Sequence, residues 1–375
     1  MKICYINNLY QPYAVGGAEK VIENLVKFGD VVISWKPWTC WSSWRPERSV
    51  EDGVIIYRYW APNIFSYKNL AKHNFLLKLL WHAIDIFNFW SARIIKKILL
   101  VEKPDTVNTH NLMGIGFGIP RLAQKMGIKH IHSLHDVQLV QPSGVLPWNH
   151  EKDSLAQKVY IWIMKRRFGR PDEIVSLSEF LKCFYQKRKF FVGSEWATGR
   201  FGDLAIRELG NLESRQSDDI NVDALISQSP NYPITKLPNY LFVGSLVKHK
   251  GIEVLMQSWN KLPKDFKGEL HIVGDGILRD EVEKWGRGDN RVKIYGRLGK
   301  EELNKVYEKC DVLVFPSICI ENQPQVIVEA MRHGLFIIAS DTGGAGELLR
   351  WYAKARLVEP GSLDFRTCLE KYYSS

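Results

Sequence analysis

Several features are missing from this 375-residue chain, and each absence removes a class of protein. Its six cysteines (Cys4, Cys40, Cys183, Cys310, Cys319 and Cys368) form no Cys-x-x-Cys and no framework spacing. That argues against a disulfide scaffold or a thiolate metal site, and predicts reduced thiols in a cytoplasmic compartment. No charged segment followed by an apolar stretch opens the chain. Met1–Ile6 reads as a buried first strand, not as a leader. The longest apolar region, Phe75 to Leu100, is interrupted by Lys78, Asp85, Arg93, Lys96 and Lys97, which argues against a membrane span. No Asp-x-Asp pair precedes a suitable turn, and no internal repeat stands out. Gly274-Asp-Gly276 fails as a dinucleotide fingerprint, because Arg279 stands where the third glycine is needed. An excess of acid is also lacking. Fifty-one Lys and Arg against 41 Asp and Glu leave a formal charge of +10, which favours anionic partners. No nucleic-acid-binding module accompanies that charge, so nucleic acid is a poor partner.

What is present is an alternation of strand-like apolar runs and helical stretches. Lys2–Ile6, Val31–Ser34, Thr106–Thr109 and Lys129–Leu134 read as strands; Ala18–Lys27, Asn69–Val101 and Ile119–Lys125 read as helices. The second half repeats the alternation more regularly. Its strands are Tyr240–Val243, Glu269–Val273, Val292–Tyr295, Val312–Phe315 and Phe336–Ala339. The pattern predicts two doubly wound α/β domains with parallel sheets. The poorest pattern, rich in Gly, Ser, Pro and Asp, lies at 191–237 and reads as a linker. The expected organisation is a domain at 1–190, an irregular segment at 191–237, and a second domain at 238–375.

The most informative stretch runs from Ser317 to Gly334. It reads as loop and helix after a strand, with Asn322 as N-cap, Pro324 in the first turn and Gly334 just past the helix end. Glu321 then lies in a loop at a strand's C-terminal end and Glu329 about two turns along the helix. Ligands of open α/β sheets bind at such strand ends, and helix N-termini favour phosphate. Carboxylates on either side of a phosphate suit hydroxyl-rich groups, which describes a nucleotide sugar. A solvated helix face is the competing reading. Gly16-Gly17 after the first strand and Lys250-Gly251 before a helix at Ile252 are two further candidate phosphate contacts. His110 and His135-Asp136 end strands and are expected to face a crevice.

These residues resemble the retaining glycosyltransferases of family 4, also called glycosyl transferases group 1. The resemblance rests on Pro316-Ser317, Glu321-Asn-Gln-Pro324, Val326–Met331, Gly334, Ser340–Gly344 and Glu347. It extends to Val243–Gly251, His271–Gly276, Gly16–Lys20, Asp105–Asn111 and Ser133–Asp136. It implies a GT-B fold, two Rossmann-like domains facing a central cleft, with acceptor bound by the first domain and nucleotide diphosphate sugar by the second. In that reading Lys250 holds the diphosphate, Glu321 the sugar hydroxyls and Glu329 the ribose. Gly274, Asp275 and Gly276 line the nucleotide side. Asn322, Gln323, Pro324 and Val326 bring backbone to sugar and phosphate. His135 acts beside the donor sugar, and His110 and Asp136 shape the acceptor side. Retention by front-face attack, no metal and no cofactor beyond the co-substrate are implied.

Three departures support an alternative, a degenerate GT-B protein that binds without turnover; one is a linker that lacks the family's usual Pro-Asn-Gly turn. Ser245 stands where the family usually has arginine, and the chain stops at Ser375 without the family's long C-terminal helices. Basic residues at Lys165-Arg-Arg167 with Arg170, and at Lys182 with Lys187-Arg-Lys189, lie near aromatic residues. They are read either as solvated helix faces or as a dock for an anionic membrane surface beside a lipid-linked acceptor. Trp35, Trp38, Trp41 and Trp44 are read as packing residues or as a platform for sugar or lipid.

Overall fold

In the computed structural model the described residues are 1–13, 17–37, 45–150, 152–198, 238–350, 352–362 and 364–374. Two compact units emerge, one from Met1–Leu146 with His150–Arg200, the other from the remainder. Gly16, the tryptophans at 38, 41 and 44, and most of the expected linker lie outside the described residues.

The first unit is built on eight strands: β1 (Ile3–Ile6), β2 (Val31–Trp35), β3 (Glu47–Glu51), β4 (Val54–Tyr59), β5 (Thr106–Thr109), β6 (Lys129–Leu134), β7 (Glu173–Ser176) and β8 (Glu195–Thr198). Their order is β3-β4-β2-β1-β5-β6-β7-β8, parallel except for the β3–β4 hairpin. That hairpin turns on Asp52-Gly53, both at positive φ (50° and 78°). This is the turn conformation whose twist matches the flanking strands. Asp-Gly was the available signal, and the hairpin is absent from the strands read off the sequence. β8 pairs with β7, so the first sheet continues past residue 190 into the stretch expected to be linker. The long helical stretch expected at Asn69–Val101 is broken. Helices at Phe75–Ile86 and Phe89–Glu102 start after Asn74 and Asn88, whose side chains accept from the N–H of Leu77 and Ser91. Asparagine at a helix start satisfies an orphan donor, and that preference outweighs continuing one helix.

The second sheet has six parallel strands, β9 (Asn239–Val243), β10 (Glu269–Val273), β11 (Val292–Gly296), β12 (Val312–Phe315), β13 (Phe336–Ser340) and β14 (Ala355–Val358), ordered β11-β10-β9-β12-β13-β14. Its four inner strands are almost wholly buried, as expected where helices cover both faces, while the edge strands β11 and β14 are partly exposed. One face packs Tyr240, Leu255, Trp259, Phe266 and Phe365; the other packs Leu313, Ile327, Ile337 and Tyr307. The chain leaves β9 toward β10 and β11, then returns to β12 on β9's other side. The switch point therefore lies between β9 and β12. Their pairing covers only Val312↔Tyr240 and Leu313↔Leu241, whereas β9–β10 pairs run from Asn239 to Val243. The strands part toward their C-terminal ends and open a crevice.

Candidate active site

In the second unit, the loops after β9 and β12 flank that crevice. Backbone packs tightly here, which explains the glycines. A Cβ on Gly251 (φ 74°) would sit 1.8 Å from the Pro316 carbonyl oxygen, and one on Gly274 (φ 153°) 1.8 Å from that of Gly244. On Gly276 it would lie 2.4 Å from the Leu246 carbonyl oxygen. The Gly274-Asp275-Gly276 loop is thus laid on the loop after β9. The Leu246 N–H donates to the Asp275 carbonyl at 2.9 Å. Asp275 itself is exposed, its carboxylate accepting from the Gly276 N–H at 2.8 Å.

Lys250, just before Gly251, reaches across the switch point. Its Nζ donates to Glu321 Oε1 at 2.7 Å. The same oxygen accepts from the Ser317 hydroxyl at 2.7 Å and is approached by Cys319 Sγ at 3.6 Å. Burial alone would pull the lysine's pKa down, but the Glu321 carboxylate outweighs it, and the net shift is upward. The ammonium stays charged. Burial and the same carboxylate push the Cys319 thiol up to about 11, so it is a neutral neighbour. The Glu321 carbonyl accepts from the Gly344 N–H at 2.8 Å, tying this loop to the helix Gly344–Leu349 that follows β13. The lysine and the glutamate expected to contact different parts of a ligand hold each other here.

The helix begins later than expected. It spans Gln325–Arg332 with Pro324 as N-cap, φ −67° and ψ 113°. Asn322 is therefore two residues before the cap and is not the N-cap. Proline disfavours helical geometry in the residue preceding it, so Gln323 cannot start the helix. As a result Glu329 is the fifth helical residue, little more than one turn in, closer to the N-terminus than the sequence suggested. Gln325 and Val326 supply first-turn N–H groups that have no intrahelical partner by construction. The C-terminus ends as predicted. Gly334 has φ 70°, its N–H donates to Met331, and that of Leu335 to Ala330, which is the Schellman pattern. Glu329 Oε2 accepts from the Tyr307 hydroxyl at 3.1 Å, and the Tyr307 ring stacks on His333 at 5.0 Å. Tyr307 was not anticipated. Its only sequence signal is an aromatic residue on the amphipathic helix Lys300–Lys309. Ser245 is exposed, and the nearby Lys248 is drawn toward Glu253 at 3.9 Å.

In the first unit, β5 and β6 deliver His110 and His135 to adjacent strand ends. Nδ1 of His110 lies 2.7 Å from Nε2 of His135, with the rings stacked at 5.0 Å. One nitrogen must donate and the other accept, so the pair cannot be doubly charged. Burial lowers both, His135 to about 4 and His110 well below its ordinary value, and the nearby His135 and His132 lower His110 further. Both are neutral near pH 7. Nε2 of His110 is buried without a partner among the described residues. Burial raises the neighbouring Asp136 to about 7, although its carboxylate accepts from the Gln138 N–H at 2.8 Å. Beside these, Asn7 and Asn8 follow β1. Asn7 Oδ1 accepts from the Asn111 N–H at 3.0 Å, while Asn8 Oδ1 is buried and unpartnered among the described residues. The signal for them was two asparagines directly after a buried apolar strand. Gly17 opens the helix Gly17–Leu25.

Of the basic groups noted in the sequence, the one at 182–189 turns its aromatic side inward and engages its cations within the unit. Arg188 holds Asp153 through three contacts of 2.9–3.1 Å, Lys182 pairs with Glu179, and Lys165 donates to the Arg188 carbonyl. Phe184, Phe190 and Phe191 are buried, because they build the core beneath.

Comparison with known proteins accords with this geometry. The family model for glycosyl transferases group 1 matches residues 238–372, and that for Glycosyltransferase Family 4 matches 73–191. A Klebsiella pneumoniae relative, an uncharacterised 42.6 kDa protein in the cps region, is 27% identical over 360 residues, covering 93% of this chain and 88% of its own length. The E. coli trehalose-6-phosphate structure bound with UDP-2-fluoro glucose superposes with a TM-score of 0.69 at 12% identity, covering all of this chain and 91% of that one. Sucrose-phosphate synthase from Thermosynechococcus elongatus gives 0.66 at 16% identity, with coverage of 100% and 90%. The chain belongs to the GT-B glycosyltransferases of the GT4 type.

Proposed function

We propose that this glycosyltransferase moves a sugar from a nucleotide diphosphate sugar, UDP- or GDP-linked, to an acceptor hydroxyl with retention at the anomeric carbon and without a metal. The product class we assign is a cell-surface polysaccharide or glycolipid, which accords with the cps-region relative. The observation that carries the reading is the Lys250–Glu321 pair at 2.7 Å, set at the switch point beside the first turn of Gln325–Arg332. A donor would part the pair. The ammonium would turn to the diphosphate, and the carboxylate would accept from sugar hydroxyls. Oriented cations and N–H groups stabilise the charge that develops on the leaving phosphate. In the front-face course, the bond from the anomeric carbon to the phosphate oxygen breaks as the acceptor oxygen bonds from the same face. The acceptor's proton passes to the departing phosphate. Glu329, which accepts from Tyr307, would accept from ribose hydroxyls. His135 is assigned to the transferred sugar, and His110 and Asp136 to the acceptor.

The test is titration of the protein with UDP- and GDP-sugars, then mass spectrometry of products with candidate acceptors. Lys250→Ala is expected to lower transfer by about 10²–10³-fold, and Glu329→Ala to weaken donor binding. Unchanged binding and transfer in both variants would sink the assignment. The exposed Ser245, where the family usually has arginine, favours a second reading: a protein that binds donor without turning it over. Binding with neither transfer nor hydrolysis in the unmodified chain would select it.

A further inference from the structure

A helix on a protein surface normally turns its apolar side inward and its polar side to water. The helix Phe75–Ile86 does not. Its inward side carries Trp81 and Asp85, both buried. Its outward side carries Phe75, Leu76, Leu79 and Leu80, exposed by 75, 73, 58 and 51%. After the break at Asn88 the pattern continues. The buried side of Phe89–Glu102 is Ser91, Ile95, Ile98 and Leu99. The opposite side, at helical spacing, combines exposed Phe89, Trp90 and Leu100 with Arg93, Lys96 and Lys97. At the break, a depression of about 360 Å³ is lined by Pro62, Ile84, Phe87 and Trp90. Arg167 sets its guanidinium over the Phe87 ring at 5.0 Å and donates to the Ile86 carbonyl at 3.2 Å.

Charge decides what covers this face. Across both helices the acids are Asp85, which is buried, and Glu102, which is engaged by Lys2 and Tyr57. Every exposed charge is positive. A two-fold contact with a second copy would set this patch, with its cations Arg93, Lys96 and Lys97, against the same positively charged patch. An anionic lipid surface takes apolar side chains between its headgroups and pairs with cations around them. No helix among the described residues is long and apolar enough to cross a membrane. We propose that Phe75–Trp90, with Arg93, Lys96 and Lys97, is an interfacial docking surface for an anionic lipid bilayer. The face lies on the first unit and rests on none of the donor-site assignments.

The full chain is mixed with vesicles of pure phosphatidylcholine, and with vesicles about one third phosphatidylglycerol. Bound protein is read by co-sedimentation, and oligomeric state by light scattering. The expected result is binding to the anionic vesicles at least about tenfold tighter than to neutral ones, weakened by salt. Leu76→Ser/Leu79→Ser/Leu80→Ser, and separately Lys96→Glu/Lys97→Glu, should each lower it by about tenfold or more. Thermal unfolding and far-UV circular dichroism confirm that each variant is folded. Should the leucine variant not fold, the exposed lysine pair carries the test. The proposal is overturned if the unmodified chain ignores anionic vesicles, or if folded variants bind as well as it does. It is also overturned if the patch holds together a dimer that does not bind lipid.

Discussion

In the second unit the candidate site groups ride on loops pressed backbone to backbone, and the charges there meet across a switch point. In the first unit the comparable strand ends carry neutral histidines and a carboxyl raised toward neutrality, while two helices present apolar side chains to solvent. One sheet joins a cation and a carboxylate across its switch point; the other keeps neutral titratable groups at the ends of β5 and β6 and displays cations on its surface helices. The difference shows that a common doubly wound plan leaves the electrostatics of each unit to the residues at strand ends.

The contrast can be broken at several points. The largest effect is expected for Gly274→Ala. The new methyl would lie 1.8 Å from the Gly244 carbonyl oxygen, so the loop must move. A loss of about 4 kcal/mol or more in urea unfolding is expected, with donor binding lost alongside. In the first unit Gly29 (φ 88°) meets nothing within 4 Å. There an alanine carries only backbone strain, about 1 kcal/mol, and a comparable loss at both glycines would contradict the close-packing argument.

Next is Asp85→Asn. Burial raises Asp85 from 3.8 to about 7 in the folded chain. The native state therefore keeps its proton where the unfolded chain has released it. Stability falls as pH rises between about 4 and 7. Asparagine removes that penalty, so the variant should gain up to about 4 kcal/mol at pH near 8 and nothing below about 4. Denaturant unfolding across that range checks it; a gain independent of pH would show that ionisation is not the cause. A smaller effect is expected for Tyr307→Phe, which frees Glu329 Oε2 of its 3.1 Å partner. Donor affinity should drop by several-fold, about 1 kcal/mol, with little change in turnover at saturating donor. Equal losses in both would mean that Tyr307 acts elsewhere.

Much of the second unit was legible because its signals are local. A parallel strand buried on both faces is a plain apolar run, and Gly334 marks a helix end wherever it occurs. Lys250 and Glu321 stood out as candidates through their loops, and Glu329 through the helix that follows. The first unit was read less well. The Asp52-Gly53 hairpin and β7 and β8 were not anticipated, because β3, β7 and β8 each open on glutamate and mix polar with apolar residues. The break at Asn88 was hidden inside one continuous helical periodicity.

By itself the sequence determined the alternation of strands and helices, the two-domain plan and the candidate residues at strand ends, since these depend on side-chain period and turn chemistry within a few neighbours. Only the tertiary structure decided that Lys250 and Glu321, 71 positions apart, share one hydrogen bond. It also set Glu329 one turn from a helix start, placed Tyr307 against it, and turned the leucines of Phe75–Ile86 outward. Such facts depend on which faces of distant elements meet. Periodicity shows that a helix has an apolar side, but the rest of the fold determines whether that side is covered.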